Sequence, residues 1–361
     1  MWYTANADFL AEEPSVQASR PSLLDVARAA GVSPATVSRV VNHTGQVSQK
    51  TQSRVREAMV ALGYEPIFAQ PAAPASPTLA VVITDLLNPF FPEIVRGIED
   101  EARSDDATLL LYDTVEDPQY EQHILRTLGE RPIDGVIVCA SRLAADALVG
   151  LHVRHRLPLA VIGRRVEHPG VACILFDAEA AMLRATQHLI NLNHTRIAYL
   201  AGPAPQEAAL RRQRGIERAL AEAGLSLRPD WRPSSFPNVD GGFQAMSALL
   251  SNPSDRPTGV VAYNDVIALG ALHAIRVHGL RVPEDISVVG FDNIAMAAHS
   301  NPPLTTVAIP KQHLGTLAMQ MMRLMLQGQA LPGNGYTLVE SPLIVRESTA
   351  PAPHGGLDAV I

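Results

Sequence analysis

SLLDVARAAGVSPATVSRVVNHTGQVSQKTQSRVREAMVALG, residues 22–63, carries apolar residues at helical spacing, broken by turn and cap signals at set intervals. Val26, Ala27 and Ala30 line one side of a first helix. Gly31 supplies a tight turn, and Ser33 caps a second helix with Pro34 at its first position, where no backbone donor is lost. Val37, Val40 and Val41 face inward on that second helix, so Pro34, Ala35, Thr36, Ser38 and Arg39 fall near its outer surface. Ser48 caps a third helix with Val55, Met59 and Leu62 on one stripe, ended by Gly63. Two helices joined by a tight turn and braced by a third form a helix-turn-helix, a shape that enters the DNA major groove.

Charge supports that reading. From Arg20 to Pro66 six basic residues stand against Asp25, Glu57 and Glu65, whereas the whole chain carries −7. An acidic body with one basic end suits a protein that meets phosphate only at that end.

The chain has 361 residues, 47% of them hydrophobic, enough for further domains with a large core. No run reaches the ~18 uncharged apolar residues of a membrane span. Residues 1–21 have no basic start followed by an apolar run, so they read as a disordered extension, or as sequence upstream of the true start, and not as a secretory signal. The two cysteines, Cys139 and Cys173, sit in apolar runs and are expected as buried thiols in a reducing cytoplasm. Residues 67–78, with Pro71, Pro74 and Pro77, read as a linker that favours extended chain.

Beyond the linker, apolar runs alternate with amphipathic stretches. LAVVIT (79–84), TLLLYD (108–113), GVIVCA (135–140), LPLAVIG (157–163) and VACILF (171–176) form one series of strands. RIAYLAG (196–202), GVVAY (259–263) and ISVVGFD (286–292) form a second. Helices are expected near 91–103, 119–130, 143–150, 178–191, 208–223, 241–251 and 265–278. The fold class is therefore α/β: a three-helix DNA-binding domain (22–66), then a core (79–347) of two subdomains, each a parallel sheet flanked by helices, with a tail from 348. Ligands of such sheets sit beyond the carboxyl ends of strands. Those ends carry Asp85–Asn88, Asp113, Ser141, Arg164, Asn264–Asp265 and Asp292.

GVSPATVSRVVN, VSQKT and ALGYEP in the first domain, with NPFF (88–91), RPIDGVIV (131–138), AYNDVIALGAL (262–272), VPEDISVVGFDN (282–293) and PLTTV (303–307) in the body, resemble the LacI family of bacterial transcription repressors. The likeness spans about residues 22–347. It implies a periplasmic-binding-protein-like core, a homodimer on a double-stranded DNA operator, and a small-molecule effector in the cleft that controls operator affinity. Family effectors are mostly sugars and their derivatives, sometimes nucleobases. By position, the resemblance assigns base reading to Pro34, Ala35 and Arg39, and phosphate contacts to Ser33, Thr36, Ser38, Asn42, Ser48 and Thr51. It assigns effector contacts to Asn88, Phe90, Phe91, Arg212, Asn264 and Asp292, with Arg164 and Phe236 as weaker matches. Aromatic faces cover sugar rings, and charged or amide groups fix hydroxyl directions.

Three departures stand out. Gly163 replaces an aspartate common in the family, which suggests a more basic pocket suited to a sugar acid or phosphate. Ile309 replaces a common polar residue. Ala72 or Ala73 stands where the family's hinge helix carries a leucine that wedges into the minor groove, so this chain should kink its operator less. No catalytic motif appears, no cofactor is expected, and His152 and His155 (HVRH) lack a third metal ligand. A solute-binding protein without regulatory role is the alternative for the body, but it would have no use for the first domain. The expected location is the cytoplasm, at the nucleoid.

Overall fold

The structure, a computed structural model, describes residues 22–41, 47–62, 64, 76–203 and 207–353. Two compact units divide the chain, 1–75 and 76–361. Asn42, the hinge positions Ala72 and Ala73, and the extension 1–21 lie outside the described residues.

The first unit is built on α1 (Leu23–Ala30), α2 (Pro34–Val41) and α3 (Gln49–Leu62). Ser22 and Asp25 close a capping box on α1, each side chain bonding the other's backbone amide. Gly31 ends α1 at φ +63°, the left-handed conformation that glycine adopts without steric cost. Ser33 accepts the Thr36 amide at 3.2 Å and Ser48 the Thr51 amide at 3.3 Å, so both expected caps are present. Val26, Val37 and Val55 meet in a core fully closed to water. The α3 stripe differs from expectation. Ala58, not Leu62, joins the core, and Leu62 stays 37% exposed in the last turn of α3. The Arg54 guanidinium donates to the Ala30 carbonyl at 2.5 Å and ties α3 to the end of α1.

In the second unit, β1 (Thr78–Ile83), β2 (Thr108–Asp113), β3 (Gly135–Cys139), β4 (Leu159–Ile162), β5 (Val171–Phe176) and β10 (Tyr336–Val339) form a parallel sheet in the order β10-β5-β4-β3-β1-β2. Side chains alternate between its faces. Leu79, Val81 and Ile83 enter one apolar cluster while Ala80 and Val82 enter the other. A second sheet follows the order β11-β9-β8-β7-β6, from β6 (Ile197–Leu200), β7 (Gly259–Ala262), β8 (Ser287–Asp292), β9 (Thr305–Ala308) and β11 (Leu343–Ile344), with only β11 antiparallel.

The first lobe carries α4 (Phe90–Ala102), α5 (Pro118–Leu128) and α6 (Ala145–His155). The second carries α7 (Ala178–Asn191), α8 (Glu207–Glu222), α9 (Val239–Leu250), α10 (Asp265–Val277) and α11 (Ala295–His299). The sequence pattern ran out after β8, yet the chain returns to the first lobe. α12 (Lys311–Leu326) packs along α4 so closely that a Cβ on Gly97 would lie 2.0 Å from the Gln312 carbonyl oxygen. β10 then completes the first sheet, and β11 closes the second. The chain thus passes between lobes three times, after Phe176, Ala308 and Val339.

Smaller corrections concern ends. The helix expected at 143–150 runs instead over Ala145–His155 and absorbs HVRH, where His152 bonds the Leu157 carbonyl. The tail expected from 348 starts later. Ser348 accepts the Thr305 amide at 2.8 Å, and the Ala352 amide bonds the Leu192 carbonyl at 2.8 Å.

Candidate functional site: a helix face and an interlobe cleft

On α2, Pro34, Ala35 and Arg39 are exposed, Thr36 and Ser38 are half-buried, and Val37, Val40 and Val41 are buried. The helix therefore holds its apolar side in the core and offers the other to solvent. Ser48 lies exposed at the start of α3 and Thr51 is half-buried beside it. The Ser33–Thr36 and Ser48–Thr51 hydroxyl pairs, each 2.9 Å apart, place small donors at two helix N-termini, where the helix dipole favours a phosphate.

In the second unit the carboxyl ends of both sheets face a cavity of about 330 Å³. Phe90 and Phe91 stand edge-to-face at 5.2 Å along its wall, joined by Phe176 and Tyr263. Asn88 and Asn264 line it too, and each also caps its own helix. Asn88 accepts the Phe90 amide and Asn264 the Ile267 amide, both at 3.0 Å. Seven of the eight expected effector residues share this wall. Phe236 does not. It is 52% exposed in the turn before α9, and its neighbour Pro237 lines the cavity instead.

Arg212 and Asp292 form the centre. The guanidinium lies between the rings of Tyr263 and Phe291, 4.1 and 4.3 Å from their centroids, and 3.8 Å from the Asp292 carboxyl. Both side chains are nearly closed to solvent, yet Arg212 Nε and Asp292 Oδ1 have no hydrogen-bond partner among the described residues. Burial pushes the Asp292 carboxyl up to about 8, against the pull of Arg212. Asp265, named with Asn264 as a strand end, is fully buried behind the wall. It accepts the Thr306 hydroxyl and the Ile294 amide, and burial raises it to about 7.

The wall charges nearly balance, with one more cation than anion while Asp292 keeps its proton. Among the described residues, the cavity wall carries Arg142, Arg164 and Arg212 against Glu116, Glu207 and Asp292. Arg142 is bound to Glu116 through two nitrogens, and Arg164 reaches Glu207 at 3.1 Å. Glu116 is held above the usual carboxylate range by burial, opposed by Arg142. Gly163 takes φ +89°, which explains why a side chain is disfavoured there on conformational grounds alone. Sequence reading missed Glu116, Arg142, Glu207, Phe176 and Tyr263. Tyr263 directly follows β7, Phe176 ends β5, and Glu116 and Arg142 lie just past β2 and β3, so the strand-end rule could have found these four, whereas Glu207 begins α8 and carried no such signal. Asp113, by contrast, bonds the Leu86 and Val115 amides outside the wall.

The sign of a pH effect follows. Asp292 holds its proton in the folded chain up to about 8 but loses it near 3.8 when unfolded, so it costs stability as pH rises between these values. The thermal midpoint of Asp292→Asn, relative to the parent chain, should climb between about pH 4 and pH 8 in a scanning-fluorimetry series. A constant difference across that range would count against the buried neutral carboxyl.

Comparison with known proteins agrees with this geometry. Residues 22–66 match the family described as bacterial regulatory proteins, lacI family, and residues 186–349 match a periplasmic binding protein-like domain. The HTH-type transcriptional repressor PurR of Aliivibrio fischeri (strain MJ11) is 37% identical over 304 residues, covering 83% of this chain and 90% of that protein. A lac repressor dimer bound to operator and the anti-inducer ONPF superposes with a TM-score of 0.70 at 30% identity, covering 92% of this chain and 100% of the other. The transcriptional regulator CelR in complex with cellobiose gives 0.67 at 30% identity, covering 91% and 100%. Relatives of this kind are repressors, not enzymes. With a helix-turn-helix unit in front of a two-lobed cleft, and a repressor relative matched over nearly its whole length, this chain belongs to the LacI family of bacterial transcriptional regulators.

Proposed function

We propose that this repressor's hold on its operator is set by a small sugar or sugar derivative bound between the two lobes. The observation that carries the reading is the unfinished Arg212–Asp292 pair. A buried guanidinium Nε and carboxyl Oδ1 without partners among the described residues cost free energy that a ligand's hydroxyls would recover. Phe90, Phe91, Phe176 and Tyr263 supply flat apolar cover for a ring. The cellobiose bound to CelR is an effector of this chemistry.

On the DNA side, Arg39 is the exposed α2 side chain with a fork of donors suited to guanine, while Ala35 offers a methyl-sized contact and Pro34 no side-chain donor. Ser33, Thr36, Ser38, Asn42, Ser48 and Thr51 take phosphate positions and set register. The active species is a homodimer, since one three-helix module covers too little DNA for specificity. Exposed apolar side chains support this. Leu86, Leu87, Leu111 and Val115 are exposed on or next to the ends of β1 and β2, and β2 is an edge strand of the first sheet among the described residues. Among the described residues no helix is long and apolar enough to cross a membrane, and the protein works where its operator lies.

Three measurements test these points. Arg39→Ala should lose about 1–3 kcal/mol at one operator position and relax preference there, and an equal loss on all sequences would reassign it to phosphate. Arg212→Ala combined with Asp292→Ala should bind operator normally in an electrophoretic assay but ignore every sugar that shifts the parent protein. Weakened operator binding without sugar would overturn that division of labour. Leu111→Asp should sediment as a monomer, and an unchanged dimer would move the interface elsewhere.

A further inference from the structure

The chain contains only two lysines, Lys50 and Lys311, although it has 29 basic residues. Lys311 is 3% exposed. It opens α12 directly after the second passage between lobes, and α12 packs on α4 in the first lobe. Its ammonium reaches back into the second lobe and donates to the carbonyls of Asp292 at 2.8 Å and Asn293 at 2.7 Å. Glu93 of α4 stands 3.4 Å from the same nitrogen. Asp292 and Asn293 have φ of +115° and +52°, two successive left-handed residues whose carbonyls converge on one point. An ammonium suits that point because it is compact and offers three donors, whereas a planar guanidinium fits two parallel acceptors.

We propose that Lys311 is a positioning residue, a clasp that fixes the end of β8, and with it the effector carboxyl of Asp292, to the α4–α12 pair of the first lobe. Three of the cavity's groups are thereby mechanically joined. Phe90 and Phe91 begin α4, one turn from Glu93, and Asp292 ends β8. A ligand that pulls on Asp292 moves a strand end bonded to the first lobe, so occupancy becomes lobe position. Glu93 is more exposed than its partner, and the Lys311 ammonium keeps its two carbonyls when the carboxylate turns to water, which gives the clasp an end that yields.

The inference rests on the effector engaging Asp292, but its test needs neither effector nor DNA. Spin labels at Glu130→Cys and Ala223→Cys, exposed ends of the two lobes, report interlobe distance in the full chain, because Cys139 and Cys173 are buried. Lys311→Met should move the mean distance and broaden its distribution, and Glu93→Ala should do so to a smaller degree. Glu93 is half-buried and its removal disturbs the fold less than loss of the buried lysine, so that variant decides the matter even if Lys311→Met does not fold. Unchanged distances in Glu93→Ala, or lowered thermal stability with unchanged distances in Lys311→Met, would overturn the clasp. Failure here leaves the cleft as effector site, and failure of sugar binding leaves the clasp.

Discussion

A guanidinium and a carboxyl buried 3.8 Å apart, each with a polar atom left unbonded, are costly to maintain in a dry interior. The fold bears that cost in three ways. Tyr263 and Phe291 sandwich the Arg212 cation, burial keeps a proton on Asp292 to about 8, and Lys311 fixes the backbone beneath it. The rest of the second unit is arranged around this centre. Two parallel sheets point their carboxyl ends at it, and three chain passages hold the sheets in register while leaving room to flex. A pair of groups left incomplete by the protein's own side chains is primed to respond to a ligand that completes it.

The remaining charges are handled differently. Arg142 pairs with Glu116 in the first lobe and also meets Tyr263 of the second, and Arg164–Glu207 links the end of β4 to α8. Such an interlobe pair biases the resting separation of the lobes, and a ligand entering between them must share or replace it. Carboxylates distant in sequence, Glu116 and Glu207, offset two of the three guanidiniums of the wall and leave it only slightly basic.

Much of this was legible in the chain. Valines at positions 26, 37, 40 and 41, with Gly31, Ser33 and Ser48 between the stripes, dictate the first unit because caps, turns and apolar periodicity are local properties. Strand positions up to β8 were equally clear, since parallel strands buried on both faces read as unbroken apolar runs. α12 and β10 were not, because their partners, α4 and β5, lie some 160 residues or more away in sequence. Phe236 failed for a related reason: which way a turn residue points depends on the loop around it, here fixed by the Asn238 cap on α9.

What the sequence determined by itself was therefore everything set within about a dozen neighbours: helix faces, caps, strand runs, and the polar residues ending each strand. Tertiary structure alone decided which of those ends meet. It set Arg212 against Asp292, matched each arginine with a carboxylate from a distant segment, and drew a lone buried lysine to two carbonyls of another lobe. The physical reason is range. Helix and strand propensities act through the backbone nearby, whereas charge pairing and burial depend on distances that exist only once the chain has passed three times between its lobes.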